Sequence, residues 1–297
     1  MKSGIGKNAG NASVSRGKPS GSLWGDVFRR LRKNKTAVVC FIIFAVICLA
    51  CIMAPFLTKW DYSRIDRNAL FERPSFKHIL GTDSLGRDML SRILYGGRIT
   101  LKVAFGATTL AAVIGGIIGL IAGYFKGIAD LIISPVLDAL AAIPVLLLAL
   151  VTETVLGWGR GYFIYAMAIA AIPQFARLVR AAVMNIRECE YIESARALGV
   201  GHFEIILRHV LHNVAPPLIV RFTSGISEAI LTCTIMGYLG IGINPPTPEW
   251  GVIIYVSKSY IRKAPHNMII PCAVIALCVI SVNLFGDGLR DALDPRD

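Results

Sequence analysis

Cysteine, histidine and acidic side chains are the groups in this sequence that could bind a metal or carry out redox chemistry. There are seven cysteines and five histidines, and Cys48 with Cys51 forms a CxxC pair. Such a pair is typical of a metal or redox site when further ligands lie nearby. Here the pair lies in an apolar run, where cysteine behaves as a small hydrophobic residue. No histidine has metal-ligand spacing to acids or cysteines. The sequence predicts no disulfide framework and no metal site.

Nucleotide hydrolysis would require a glycine-rich phosphate-binding loop between a strand and a helix. The nearest string is SGIGKNAG at Ser3 to Gly10, which lacks both the spacing and the context. The sequence also contains no recognisable cluster of a nucleophile, a base and a metal. We therefore expect that the chain is not an enzyme by itself and binds no cofactor.

A polar segment from Glu193 to Leu211 could instead bind another protein. Its sequence is ESARALGVGHFEIILRHVL. A charged helix ends near Leu198. Gly199 and Gly201 then supply the conformational freedom that a turn requires, and a second short helix follows. That second helix carries a compact apolar knob with charged flanks, which is typical of a helix that inserts into a groove. The alternative is a long loop folded only on its own bundle. The knob consists of Phe203, Ile205, Ile206, Leu207 and Val210.

The elements around this segment are apolar runs long enough to cross a bilayer. Hydrophobic residues make up 55% of the 297 residues and charged residues only 17%. A helix needs roughly 20 apolar residues to span the hydrocarbon, and a lipid-exposed backbone must satisfy its own hydrogen bonds. We predict an all-α membrane protein with six transmembrane helices. The predicted spans are Ala37–Leu57, Val103–Phe125, Ile128–Leu156, Tyr162–Val183, Val214–Ile243 and Met268–Phe285.

Lysine and arginine predict the orientation of these spans. A basic cluster from Arg29 to Lys35 abuts the first span, and such clusters normally stay in the cytoplasm. Six spans then place both termini and the segment after the fourth span in the cytoplasm, with loops at 58–100, 157–161 and 244–267 outside. We expect anionic lipid headgroups, rather than nucleic acid, to balance the net charge of +12. Residues 1–22 are too polar to form a core and are expected to be a disordered tail.

The first outer loop ends in a pattern that favours an amphipathic surface helix leading into the second span. Thr82, Asp83 and Ser84 are helix-capping types. Apolar residues follow at helical spacing, with Arg87, Asp88 and Arg92 between them. This helix could brace the outer mouth of a pathway, or it could be an interfacial helix held by headgroups.

The second span carries small residues on one face. Ala107, Ala111, Gly115, Gly119 and Gly123 recur every four residues, so they form a stripe that lets another helix approach closely. We expect close packing within the bundle or across a subunit interface.

Ionisable residues inside spans are costly in lipid and often line a pathway. Asp138, Glu153, Arg221 and Glu228 are such residues here, although each could also sit near a span end. Asp138 and Glu228 are the two that we predict to face a translocation pathway.

Five strings in this chain are similar to segments of one transporter family. ESARALG, with Leu211 twelve positions after Gly199, resembles the EAA coupling motif of ABC-type importer permeases. The other strings resemble the second permease subunit of the oligopeptide, dipeptide and nickel branch. They are GTDSLGRD (81–88), DALAAIPVLLLAL (138–150), YLGIGINPPTPEWG (238–251) and FGDGLRDALDPR (285–296).

The resemblance implies a type I importer subunit that forms half of the membrane pathway in the bacterial inner membrane. It implies a homologous second permease, two cytoplasmic ATPases that use ATP and Mg²⁺, and an extracytoplasmic substrate-binding protein. The helix from His202 to Val210 becomes a coupling helix in an ATPase groove. The coupling residues implied are Glu193, Ser194, Ala195, Gly199, His202, Phe203, Ile206 and Leu211.

The chain departs from the family pattern at a few positions. Ser194 replaces an alanine, and His209 and His212 stand where isoleucine and proline are usual, so the second helix could continue further than in relatives. Cys233 stands where a glutamate is usual, while Glu228 lies five residues earlier.

The domain division that follows has four parts. These are a disordered tail at 1–22, a first span with the outer loop at 23–100, a five-helix membrane domain at 101–290 with a coupling loop at 185–213, and a cytoplasmic tail at 291–297. Peptides are the expected cargo. The alternatives are a permease for nickel or another small solute, and a secondary transporter that works alone, which would require paired inverted halves.

Overall fold

The computed structural model describes residues 23–156, 160–243 and 245–293. The helices are α1 (Leu23–Lys33), α2 (Lys35–Ile52), α3 (Ala54–Leu57), α4 (Met89–Phe125), α5 (Gly127–Ala141), α6 (Val145–Leu156), α7 (Arg160–Arg187), α8 (Glu190–Ala197), α9 (His202–Ile205), α10 (Leu211–Tyr238), α11 (Trp250–Ser257) and α12 (His266–Leu293). Across those ranges the only extended pairing is an isolated bridge between Thr82 and Asp88. The predicted all-α fold class is confirmed.

Among the described residues, five helices are long and apolar enough to cross a membrane, and counting one bent pair as a single span gives six. The five are α2, α4, α7, α12 and the continuous run from α9 through α10. The pair is α5 and α6, whose axes differ by 100°. Pro144 stands immediately before α6, and proline removes a helix hydrogen bond at such a break. The third predicted span is therefore a broken helix.

The first and the last described residues of the chain lie at one end of the helix bundle. Helix α8 lies at the same end of the bundle, and we call it the α8 end. Gly288, near the end of α12, lies directly against Ala37 at the start of α2. The opposite end, the loop end, carries residues 53–88, 239–243 and 245–265. The predicted disordered tail at 1–22, most of the outer loop at 157–161 and most of the tail at 291–297 fall outside the described residues.

The small-residue stripe of α4 lies against α7 inside the subunit. A Cβ added at Gly119 would come within 2.2 Å of the Ala176 carbonyl oxygen, and one at Gly115 within 2.8 Å of the Ile172 carbonyl oxygen. A Cβ at Gly123 would crowd the Arg180 carbonyl in the same way, and Ala111 is fully buried. The two backbones approach so closely because side chains are absent between them.

We expect Gly119→Ala to lower the thermal midpoint of the purified protein by roughly 5 °C. Overpacking of this kind costs about 1–3 kcal/mol, and each kcal/mol corresponds to about 2–4 °C in a domain of this size. Gly116→Ala is the matched control, because a Cβ at Gly116 meets no atom within 4 Å. Alanine there is expected to be neutral or stabilising, since it is the better helix former. Equal midpoints for the two variants would contradict the packing argument.

A separate amphipathic helix before the second span is absent, and that prediction is corrected. Residues 82–88 form a turn, and the long helix α4 starts only at Met89, with Asp88 accepting a hydrogen bond from the Ser91 N–H at 2.8 Å. Asp83 accepts hydrogen bonds from the N–H groups of Leu85 and Arg87. These local bonds compete with helix formation, and they delay the helix past the predicted caps.

The charges of that turn point inward rather than to the surface. Asp83 pairs with Arg87 at 2.7 Å and with Arg92 at 3.5 Å, and Asp88 pairs with His78 at 2.9 Å. All five side chains are nearly inaccessible to solvent. The charged residues that were expected to form the polar face of an amphipathic helix therefore belong to a buried ion-pair network.

Helix α11 is anchored in the bundle at the loop end. Glu249 precedes it and accepts hydrogen bonds from the Val252 N–H at 3.0 Å and from Thr100 Oγ at 2.9 Å. Trp250 donates its indole N–H to the Ile93 carbonyl at 2.9 Å. Because both residues are fully buried, α11 is fixed to the first half of α4.

Candidate functional site

The segment between α7 and α10 presents apolar side chains at the α8 end. Phe203 is 75% exposed, and Leu207 and Leu211 follow at four-residue spacing and are also exposed, which places the three on one helix face. Leu198 in the turn before α9 is exposed as well. We call these four residues the α8 surface. Exposed apolar residues at helical spacing are typical of a face that binds a partner.

The remaining sequence-predicted coupling residues surround this surface. Glu193, Ser194 and Gly199 are exposed, and Ala195 and Ile206 are half-buried. His202 is exposed as a residue, but its Nδ1 lies 2.9 Å from the Tyr124 hydroxyl at the end of α4.

The predicted apolar knob divides into two faces. Phe203 and Leu207 point outward, whereas Ile205 and Val210 are fully buried. The buried pair packs with Ile192 of α8 against residues at the α8 ends of α4 and α7. These residues are Tyr124, Val179 and Val183. The outward face is therefore connected to two spans through closely packed side chains.

The second helix of the predicted helix-turn-helix does not end at Val210. This corrects the prediction of a short helix and agrees with the expectation, drawn from His209 and His212, that the helix continues further. The helix α9 continues through a π-helical turn at Ile206–Val210 directly into α10. No proline follows until Pro216, so nothing in this stretch breaks the hydrogen-bond ladder. Phe203, Leu207 and Leu211 of the α8 surface therefore lie on the same continuous helix of 37 residues as the fifth span.

The turn before α9 is built on Gly199. Its φ is +83°, which favours glycine. Its N–H donates to the Arg196 carbonyl, and the Val200 N–H donates to the Ala195 carbonyl, which is the Schellman arrangement that ends a helix. Gly199 thus ends α8 and sets the direction in which the chain enters α9.

A salt bridge braces the link between α7 and α8. Lys126, in the short connection between α4 and α5, lies 2.7 Å from Glu188. The hydrogen bond and charge of Lys126 hold the pKa of Glu188 below its usual value. Both side chains are partly or largely exposed, so this pair contributes little to stability and mainly orients the link.

A second polar feature lies halfway along the spans. Arg221 of α10 makes two hydrogen bonds to Glu228, at 2.9 and 2.8 Å, and one to the side-chain oxygen of Gln174 on α7. The Arg221 guanidinium also lies over the Phe175 ring, 5.4 Å from its centroid. We call Gln174, Arg221 and Glu228 the mid-span cluster. It includes one of the two predicted pathway residues.

The other predicted pathway residue, Asp138, lies on α5 and is exposed. It pairs with Arg177 of α7 at 3.6 Å. One turn further along α7, Arg180 makes a bidentate pair with Asp130, at 2.5 and 2.7 Å. Two ion pairs therefore join the broken third span to α7, and Asp138 and Glu228 lie on different helix pairs.

Sequence reasoning missed Gln174 as a partner of Arg221. A signal was available, because Gln174 is a polar residue directly after Pro173 near the middle of an apolar run. Glu153 is fully buried on α6, and among the described residues neither of its carboxylate oxygens has a hydrogen-bond partner.

The arrangement of spans with a docking segment after the fourth span can now be compared with known proteins. Residues 115–296 match the family described as the binding-protein-dependent transport system inner membrane component. The chain belongs to this family. Residues 22–74 also match the N-terminal transmembrane domain of oligopeptide transport permease C. The resemblance to an importer permease of the oligopeptide and dipeptide branch is confirmed.

Two curated relatives align with this permease over almost its whole length. It is 42% identical over 275 residues to the dipeptide transport system permease protein DppC of Alkalihalophilus pseudofirmus. That alignment covers 93% of this chain and 90% of the relative. It is 39% identical over 284 residues to the glutathione transport system permease protein GsiD of Pectobacterium atrosepticum, which covers 95% of this chain and 94% of the relative.

Solved transporters support the fold of this permease. It is similar to a chain of the MetNI methionine ABC transporter in an inward-facing conformation, with a TM-score of 0.58 and 22% identity over 69% of this chain and 98% of that chain. An amino acid ABC transporter with histidines gives a TM-score of 0.53 at 17% identity, over 67% of this chain and 93% of that chain. The predicted type I importer fold is thus confirmed.

Proposed function

We propose that this permease forms half of the membrane pathway of an ATP-driven importer of short peptides. The observation that carries the proposal is the α8 surface, an exposed apolar face that is continuous with a membrane span and packed onto two others. The names of the relatives, a dipeptide permease and a glutathione permease, support peptides as the cargo class.

The α8 surface is the proposed docking site for a cytoplasmic ATPase. A second, homologous permease completes the pathway, one ATPase docks on each permease, and an extracytoplasmic binding protein delivers cargo. ATP and Mg²⁺ are used by the ATPases, so this chain binds no nucleotide of its own. Closure of the ATPase pair moves the α8 surface, and the spans follow as rigid bodies.

The α8 end is proposed to face the cytoplasm and the loop end the outside of a bacterial inner membrane. The basic cluster from Arg29 onward lies at the α8 end, as the distribution of lysine and arginine requires. Both termini are then cytoplasmic. Asp138 and Glu228 are proposed to face the translocation pathway, because partly exposed charges halfway along a span are too costly against lipid.

The test is uptake of a radiolabelled dipeptide by proteoliposomes that contain the permease pair, both ATPases and the binding protein. We expect accumulation inside the vesicles only when ATP and Mg²⁺ are present on the ATPase side. Vesicles in which the ATPase carries a disabled phosphate-binding loop are the control. ATP-independent uptake by this chain alone would instead assign it to the secondary transporters.

A further inference from the structure

The mid-span cluster occupies the middle of two spans that run side by side. The helices α7 and α10 each have 28 residues, and Gln174 lies near the centre of α7 while Arg221 and Glu228 bracket the centre of α10. A charge at this depth faces protein or a water-filled path, because exposure to hydrocarbon is costly. The cluster is thus placed where cargo would pass.

Two cavities meet at Arg221. The larger one, of about 450 Å³, lies between α7, α10 and the end of α12, and Pro216, Arg221 and Arg290 are among its lining residues. The smaller one, of about 20 Å³, reaches towards the broken third span and is lined by Gln174, Arg221 and Glu228. The Arg221–Glu228 pair therefore stands between a wide space at the α8 end and a narrow one deeper in the bundle.

The two charges of the pair differ in how firmly they are held. The Arg221 side chain is 16% exposed, and the Gln174 oxygen and the Phe175 ring hold its guanidinium in addition to Glu228. The Glu228 side chain is 53% exposed, and among the described residues its recorded hydrogen bonds go only to Arg221. Glu228 is thus the partner that can move away while Arg221 stays in place.

We propose that Arg221 and Glu228 form a binding site for the two charged termini of a short peptide, a proposal that rests on the importer function proposed above. The peptide carboxylate takes the place of Glu228 on the Arg221 guanidinium, whose planar fork suits a carboxylate. The peptide ammonium binds the released Glu228. One ion pair and one zwitterion become two ion pairs, so no charge is left unpaired at this depth.

The spacing of the site fits peptides of two or three residues. Seven residues of α-helix advance by about 10 Å, so the backbone positions of Arg221 and Glu228 are about that far apart along the axis of α10. Their charged groups meet at 2.8 Å only because the two side chains extend towards each other, and the gap opens when the Glu228 side chain turns away. An extended chain of two or three residues reaches about 7–10 Å. A peptide capped at one end would leave either Arg221 or Glu228 without a partner, and such a charge is expensive away from water.

The experiment measures binding to the permease pair with its ATPases in nanodiscs, without the binding protein. A dipeptide with a diazirine side chain is photo-crosslinked, and the labelled residues are mapped by mass spectrometry. Unlabelled dipeptide, its N-acetyl form and its C-terminal amide are used as competitors. We expect labelling on α7 or α10, and we expect the free dipeptide to compete about tenfold better than either capped form.

Single variants assign each terminus to its partner. Glu228→Gln is expected to remove the preference for the free over the N-acetyl form and to keep the preference over the amide. Arg221→Gln is expected to do the reverse. Lys77→Gln removes an exposed pair with Asp66 at the loop end and is expected to keep both preferences.

Two results would overturn the site. One is labelling that is absent or maps to helices other than α7 and α10. The other is that both variants weaken competition by the free, N-acetyl and amidated dipeptides to the same extent. That result is expected if the Arg221–Glu228 pair is purely structural. If the proteoliposomes accumulate dipeptide with ATP in spite of either result, only this site is refuted. If they accumulate no dipeptide at all, the proposed function fails as well.

Discussion

Asp83→Asn is expected to lower the thermal midpoint of the permease by roughly 10 °C and to expose the loop-end residues to protease. Asp83 is the shared anion for Arg87 and Arg92, and both arginines are buried. Among the described residues, Nη1 of Arg92 is already without a hydrogen-bond partner. Removing one charge from a buried pair costs about 3–5 kcal/mol, which corresponds to roughly 10 °C.

The matched control for Asp83→Asn is Lys77→Met. Lys77 pairs with Asp66 at 3.8 Å, and both side chains are substantially exposed. Exposed pairs of this kind contribute about 0–1 kcal/mol, so the midpoint should move by no more than about 3 °C. Adding Arg92→Met to Asp83→Asn should recover part of the loss, because one orphaned cation is then gone. A melting curve for Asp83→Asn that overlays the unmodified protein would refute the buried network.

Phe203→Asp is expected to lower ATP-driven uptake and substrate-stimulated ATP hydrolysis by a factor of ten or more. Phe203 is the most exposed of the α8-surface residues on α9 and α10. A buried aromatic anchor at an interface commonly contributes about 2 kcal/mol or more to binding, and each 1.4 kcal/mol is about tenfold in affinity. The measurement is uptake and ATPase activity of the reconstituted complex, together with co-purification of the ATPase.

Phe28→Asp is the control for this variant. Phe28 lies on α1 and is 68% exposed, so the substitution is the same at similar exposure but outside the α8 surface. We expect its uptake to stay within about twofold, because its side chain is outside the proposed ATPase contact. Both variants should reach the membrane in normal amounts. Normal ATPase co-purification with Phe203→Asp would show that the α8 surface does not bind the ATPase.

The spans and the polar segment at 193–211 could be predicted from local sequence. Crossing a bilayer depends on the length and polarity of one continuous run, and α4, α7 and α12 contain the predicted runs. Gly199 could also be identified from local sequence as a turn residue, because a left-handed backbone conformation favours glycine wherever it occurs. The start of the helix that leads into the second span was less accurate, since α4 begins at Met89 and not directly after the predicted caps at Thr82 to Ser84.

The direction of charged side chains could not be predicted in this way. Arg87, Asp88 and Arg92 stand between apolar residues at helical spacing and were expected to be at the surface, yet they and Asp83 are buried because charges of opposite sign pair there. Arg221 was recognised as an intramembrane charge, but its partner Gln174 is 47 residues away in sequence. Thr100 and Glu249, which join α4 to α11, are 149 residues apart.

The sequence by itself determined that this chain is a helical membrane permease with a polar segment after its fourth predicted span. Only the tertiary structure decided that the third predicted span is two helices bent by 100°, and that Arg221 of α10 is hydrogen-bonded to Gln174 of α7. The physical reason is that a segment crosses the bilayer because of its own apolar length, whereas the partner of a buried charge depends on which distant helix the fold brings beside it.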